Sequence, residues 1–128
     1  MRPKKTDPLI DAYKKLKPLL EKYASELTVK KDTSTGYELW TNKQALIAGK
    51  MQGELFFAAF VIQKNFVAFY YFPVYTHPEL QKNISKKVLK MLKGKSCFHI
   101  TNLDSETFND ISNTLELGFE HYKKLGWI

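Results

Sequence analysis

Apolar residues recur at helical spacing near the start of the chain: Leu9, Ile10, Tyr13, Leu16, Leu20 and Tyr23. Asp7-Pro8 stands just ahead of them, an N-cap residue followed by proline at the first helical position, where its missing N–H costs nothing. Pro18 falls inside the pattern and should bend or shorten the helix, because it removes a ladder donor and clashes with the preceding turn. From about Glu26 the period changes to two. Thr28–Lys31 and Tyr37–Thr41 read as strands joined through Ser34-Thr35-Gly36, and Asn42-Lys43 offers a tight turn into a third, Ala45–Ala48. Together they predict an antiparallel meander.

Glu54–Ile62 and Phe66–Phe72 flank Gln63-Lys64-Asn65 and pair as a hairpin rich in aromatic and β-branched residues. Strict alternation would send Leu55, Phe57, Ala59 and Val61 to one face and Phe56, Ala58, Phe60 and Ile62 to the other, and both sets are apolar. Antiparallel sheets usually leave one face wet, so the expectation is that something besides the first helix covers the second face: another helix of the chain, a partner subunit as in a homodimer, or a ligand. Pro73–Pro78 then breaks the strand. Asn83 is placed to cap an inserted helix over about Ile84–Lys93, ended by Gly94 in the left-handed region. Ile84, Val88, Met91 and Leu92 would share its inner face, with Lys86, Lys87, Lys90 and Lys93 behind. Ser96–Thr101 reads as a last strand. Asp104-Ser105-Glu106-Thr107 supplies an acidic first turn for a long final helix with the apolar stripe Phe108, Ile111, Leu115, Phe119 and Tyr122. No repeat, low-complexity stretch or linker interrupts this order, so residues 1–128 form a single α+β domain.

Composition supports a packed domain: 44% of the 128 residues are hydrophobic and 14% aromatic. The longest apolar run, Leu55–Ile62, has eight residues, against the roughly 18 to 20 that a membrane-spanning helix needs, so no membrane insertion is expected. Met1–Asp7 is basic but no apolar segment follows, so no secretory signal is visible. One cysteine, Cys97, allows no intrachain disulfide, and a cytoplasmic location is the default.

Charge is uneven. The net +7 is concentrated between residues 80 and 95, which hold Lys82, Lys86, Lys87, Lys90, Lys93 and Lys95 and no acid. Such a field draws anions generally, phosphate backbones, acidic lipid surfaces and acidic proteins alike; non-specific binding of nucleic acid is compatible with it but is not the favoured reading. The same stripe is what the solvated back of an amphipathic helix looks like. Arg2 is the one arginine among 20 basic residues, which weighs against base-edge reading of DNA, where the planar guanidinium is favoured.

Motifs for chemistry are sparse. His77, His99 and His121 lack metal-ligand spacing to one another or to Cys97, so neither a metal site nor a cofactor is implied. Gly94-Lys95-Ser96 lacks the first glycine and the preceding strand of a phosphate loop. Cys97 and His99 lie two apart on a strand, hence on one face, the minimal arrangement for a thiolate nucleophile; equally, Cys97 is a small apolar residue of the core. Tyr70, Tyr71, Tyr75 and His77 are candidates to line a pocket, or are core aromatics whose polar tips reach the surface.

Two stretches carry a family resemblance. ELFFAAFVIQKNFVAFY (Glu54–Tyr70), followed by Pro73-Val74-Tyr75, and LKGKSCF (Leu92–Phe98) resemble the YdhG-like family of small bacterial domains of unknown function, and the order of elements agrees along nearly the whole chain. The resemblance implies a frataxin-like α/β sandwich: an N-terminal helix, an antiparallel meander with an aromatic hairpin, an inserted short helix, a last strand and a long C-terminal helix. It also implies, for one branch, iron delivery as a chaperone, for which Asp104, Glu106 and Asp110 would supply oxygen ligands. Iron-handling frataxins depend on clustered acids, whereas the acids here are dispersed. The expectation is therefore a non-enzymatic binding domain for a small anionic ligand or an acidic protein, with Lys93, Lys95, Ser96, Cys97 and Tyr75 as ligand-binding candidates and no catalytic residue assigned. The alternatives are iron delivery and a Cys97-dependent enzyme.

Overall fold

A computed structural model describes residues 7–43, 45–47 and 49–128. The basic start Met1–Thr6 and the end of the expected strand at Ala48 lie outside the described residues. The chain folds as helix α1 (Pro8–Glu21), strands β1 (Thr28–Asp32), β2 (Gly36–Trp40), β3 (Ala45–Ile47), β4 (Lys50–Gln52), β5 (Phe56–Ile62) and β6 (Val67–Tyr71), a short helix α2 (Pro73–Thr76), a 3-10 segment (Pro78–Asn83), helix α3 (Lys86–Leu89), strands β7 (Leu92–Lys93) and β8 (Cys97–Ile100), and the long helix α4 (Ser105–Lys124). No helix among the described residues is long and apolar enough to cross a membrane.

Asp7 caps α1, its Oδ1 accepting the Leu9 N–H at 2.8 Å. The helix runs on past Pro18 to Glu21. Both Pro18 and Lys14, whose carbonyl loses its donor, are on the exposed side, where water can satisfy that carbonyl. Tyr13, Leu16 and Leu20 are buried, whereas Ile10, expected on the same stripe, is 38% exposed.

Six strands form one antiparallel sheet in the order β1-β2-β5-β6-β8-β7. The expected meander stops at β2. That strand pairs directly with β5, and β3 turns back on β4 as a separate two-stranded hairpin in the β2–β5 connection. The expected helix over Ile84–Lys93 is also shorter than its pattern: Asn83 ends the 3-10 segment, Ser85 caps α3 by accepting the Val88 N–H at 3.2 Å, and the helix stops at Leu89. Met91–Lys93 then extend along β8, where the His99 N–H donates to the Met91 carbonyl at 2.9 Å and Leu92 lies opposite Phe98. Pairing the free edge of β8 satisfies backbone groups that a continued helix would have left bare.

The two long helices lie on the same face of the sheet. Tyr23, in the turn just past α1, and Phe119 of α4 pack at 4.4 Å, and each meets Phe57 of β5 edge-on at about 6 Å. Register explains which β5 residues reach them. Leu39 pairs with Ala58 but Trp40 pairs with Phe56, so Phe57 is an extra residue in a β-bulge. A bulge sends two successive side chains the same way. Phe57 and Ala58 both enter the core, along with Leu55, Phe60, Val67, Phe69, Tyr71, Phe98 and Ile100. The remaining β5 and β6 positions, Phe56, Ala59, Val61, Ala68 and Tyr70, face away from the helices. No helix covers that second face among the described residues, so of the three expected covers another helix of the chain is not what is found. It is partly closed by its own side chains, which leave Ala59 at 1% and Ala68 at 0% exposure.

Helix α4 is docked through a close approach at Gly118. The Tyr71 hydroxyl donates to the Thr114 carbonyl, and burial holds the phenol far above its usual pKa, so it stays a neutral donor. A Cβ at Gly118 would collide with that hydroxyl and sit 2.7 Å from Pro73 Cγ. Gly118→Ala is therefore expected to destabilise the fold by about 1–3 kcal/mol from overpacking, although alanine is favoured over glycine by about 1 kcal/mol in a helix. Urea unfolding of Gly118→Ala, Tyr71→Phe and the double variant checks this, the double losing less than the sum of the singles because both act at one contact.

Candidate functional site

The β7–β8 hairpin carries four of the five candidate residues. Lys93 lies opposite Cys97 across it, and Gly94-Lys95-Ser96 form the turn. Gly94 has φ +79°, a left-handed conformation that glycine adopts without penalty; its place is this turn and not the end of a helix. The Ser96 carbonyl accepts the Tyr71 N–H at 2.8 Å, tying the turn to the end of β6. There the chain turns into α2 and presents Tyr75, which is 49% exposed. Lys95 Nζ stands 5.7 Å from the centre of the Tyr75 ring. Lys95, Gly94 and Tyr75, with Val74, Pro78 and Gln81, line an open depression of about 370 Å³. The structure therefore brings Tyr75 and Lys95 together, sets Lys93 and Cys97 side by side, and engages Ser96 through its backbone.

Neither Lys93 nor Lys95 has an ion-pair partner among the described residues, and both are exposed. Lys82, Lys86 and Lys90 are likewise exposed and without an ion-pair partner among the described residues, whereas Lys87 is engaged. Lys87 Nζ bridges Asp104 at 3.0 Å and Glu106 at 3.1 Å. Asp104 also caps α4 by accepting the Thr107 N–H at 2.7 Å. That backbone bond first, and Lys87 second, hold its carboxyl down at about 2. Two of the three carboxylates considered as iron ligands are thus engaged by a cation, and no group of three or more His, Cys, Asp or Glu side chains converges among the described residues.

Cys97 lies half-buried on the helix-free face, opposite Tyr70 in β6. Burial pushes its thiol above the ordinary value, and the Tyr70 hydroxyl beside it pulls more weakly the other way. His99 shares that face but stacks on Phe66, ring centres 3.8 Å apart and 13° from parallel. Both observations oppose a Cys97 nucleophile, which requires a lowered pKa.

A histidine pair went unseen in the linear pattern. His77, after α2, meets His121 of α4 at 4.5 Å between ring centres and Trp127 at 5.3 Å. Its Nδ1 shares the Thr76 hydroxyl at 2.8 Å, and that hydroxyl lies 2.7 Å from the Tyr122 hydroxyl. Burial first, then His121, hold the His77 pKa below the usual value, with Glu79 opposing. No local signal links residues so far apart in the chain; only the docking of α4 does.

Compared with known proteins, the chain matches no family model, no curated protein and no solved structure.

Two expectations follow from these groups. Alkylation of Cys97 by iodoacetamide should be slow at pH 7 and rise with pH to beyond pH 9, as for an ordinary shielded thiol; a plateau below pH 8 would restore it as a nucleophile. His77 is depressed in the folded state, so the unfolded chain binds more protons once the pH drops below about 6.5. Stability from this group is complete above that value and falls as the pH descends through it. Urea midpoints at pH 7.5 and 5.5 measure the loss, and His77→Gln should reduce it.

Proposed function

We propose that this chain is a non-enzymatic binding domain whose ligand carries negative charge and docks at the β7–β8 turn. The observation that carries the reading is the pairing of Lys95 with the exposed Tyr75 ring at 5.7 Å, beside Lys93, on a turn where neither lysine is neutralised by an acid among the described residues. Lysine ammonium groups supply charge with little directional demand. A cation–π contact at an exposed site is worth only about 0.5–1 kcal/mol, so Lys95 can exchange it for an anion at small cost.

The likeness of Glu54–Tyr70 and Leu92–Phe98 to the YdhG-like family points to a small bacterial, cytoplasmic domain with a frataxin-like arrangement and leaves the binding role to the turn itself. Iron delivery draws less support, since Lys87 engages Asp104 and Glu106. A Cys97-dependent enzyme draws less still, since burial raises the thiol.

A thermal-shift series with inorganic phosphate, tripolyphosphate and nucleoside triphosphates tests the proposal. A ligand present at a hundred times its Kd stabilises the fold by about 2.7 kcal/mol, a shift of several degrees in Tm. The rise is expected in the parent chain and lost in Lys93→Glu/Lys95→Glu. An equal rise in both would move the site elsewhere, and no rise with any of the anions would count against an anionic ligand.

A further inference from the structure

Beyond the β7–β8 turn lies the uncovered sheet face, and its composition specifies more than a negative charge. Paired positions share a face across an antiparallel sheet. One row crosses all six strands in register: Lys31, Glu38, Ala59, Tyr70, Cys97 and Lys93. Its middle is small and aromatic, its two ends are lysine, and its one acid, Glu38, accepts the Trp40 indole N–H at 2.6 Å.

Beside this row runs a continuous line of rings. Trp40 meets Phe56 at 5.8 Å, Phe56 meets Phe72 at 6.3 Å, and Phe72 meets Tyr75 at 5.4 Å. Each end of the line carries a lysine ammonium over its terminal ring: Lys30 at 4.7 Å from Trp40 and Lys95 at 5.7 Å from Tyr75. Lys30 is also paired with Glu54 at 2.8 Å, so the freer charge is at the Tyr75 end. The other side of the row has the stacked pair Phe66 and His99.

We infer that this face binds single-stranded nucleic acid, with bases against the aromatic line and phosphates on Lys93 and Lys95. The inference rests on the anion-binding reading above and adds a planar ring to the ligand. Rings flanked by cations complement a polyanion built of aromatic bases, and stacking on such rings is tolerant of base identity. Lysines without arginines at the face match backbone contact rather than base-edge reading. A duplex keeps its bases stacked internally and offers no ring to the line. A second copy of the chain is disfavoured as the occupant, because lysines at both rims would meet lysines.

The test is fluorescence anisotropy of a labelled twelve-residue oligothymidylate and of a duplex of the same length, in low and moderate salt, with tripolyphosphate thermal shifts run in parallel. Expected are binding of the single strand, at least tenfold weaker binding of the duplex, and at least fivefold weaker binding by Tyr75→Ala, restored in Tyr75→Phe. Lys93→Gln/Lys95→Gln should flatten the slope of log affinity against log salt by about 1.4, two phosphate contacts at about 0.7 each. Equal affinity for both oligonucleotides with no effect of Tyr75→Ala would overturn the inference in favour of simple charge attraction. Tripolyphosphate binding through Lys93 and Lys95 without oligonucleotide binding would overturn it while leaving the anion-binding reading intact. No response to either probe removes both. A stable dimer that closes the face against the oligonucleotide also overturns it.

Discussion

One extra residue in β5 organises this fold. Because Phe57 bulges between the positions opposite Leu39 and Trp40, Phe57 and Phe60 reach the same side although their separation in a regular strand would send them to opposite sides. That side is where Tyr23, Phe119 and Tyr122 converge on Phe57, so the bulge is what lets α1 and α4 share a single core. The residues turned away, Phe56, Ala59 and Val61, form a face that α1 and α4 do not cover. The buried core and the uncovered face are thus two consequences of the same local irregularity.

Much of this order is legible in the linear pattern. α1, β1, β2, the β5–β6 hairpin, β8 and α4 all stand within a few residues of where periodicity puts them, because each except the exposed edge strand β1 contributes buried residues at its own period. Errors fall where the pattern is locally ambiguous. Alternation along Leu55–Ile62 cannot reveal a bulge, since both faces are apolar there. The apolar spacing over Ile84–Leu92 fits a helix as well as it fits what is found, a single turn of α3 followed by a strand, and the unpaired edge of β8 decides between them. Likewise the short β3 would extend a meander by proximity, but β5, with seven residues against three, is the longer partner for β2.

The candidate site divides along the same line. Lys93, Lys95, Ser96 and Cys97 are contiguous in sequence, so their grouping needs no tertiary knowledge; what brings Tyr75 to them is the bond between Tyr71 and Ser96, which joins the end of β6 to the β7–β8 turn. The identity of Cys97 as a shielded thiol, and of His99 as a stacking partner of Phe66, depends on cross-strand neighbours that the linear alternation does not name. The same holds for the neutralised part of the lysine stripe. Lys87 looks like its neighbours in sequence, and only the placement of the α4 N-terminus beside α3 gives it Asp104 and Glu106.

Why the second face stays open follows from the connections. β1 to β2 and β5 to β6 are joined by short turns, so no helix is inserted there to cross the sheet. α1 precedes the first strand and α4 follows the last, and the one long helical insertion, between β6 and β7, is drawn to α4, where the 3-10 segment and α3 pack. A face left to water in an antiparallel sheet is ordinarily polar. Here Ala59 and Ala68 occupy its centre and are buried by their neighbours, and the larger positions around them are Trp40, Phe56 and Tyr70. Hydration alone gives no reason to keep rings and alanines at these positions. An apolar centre between lysine rims is instead the composition expected of the binding surface proposed above, on which the apolar area would supply contact and the charge would select the partner.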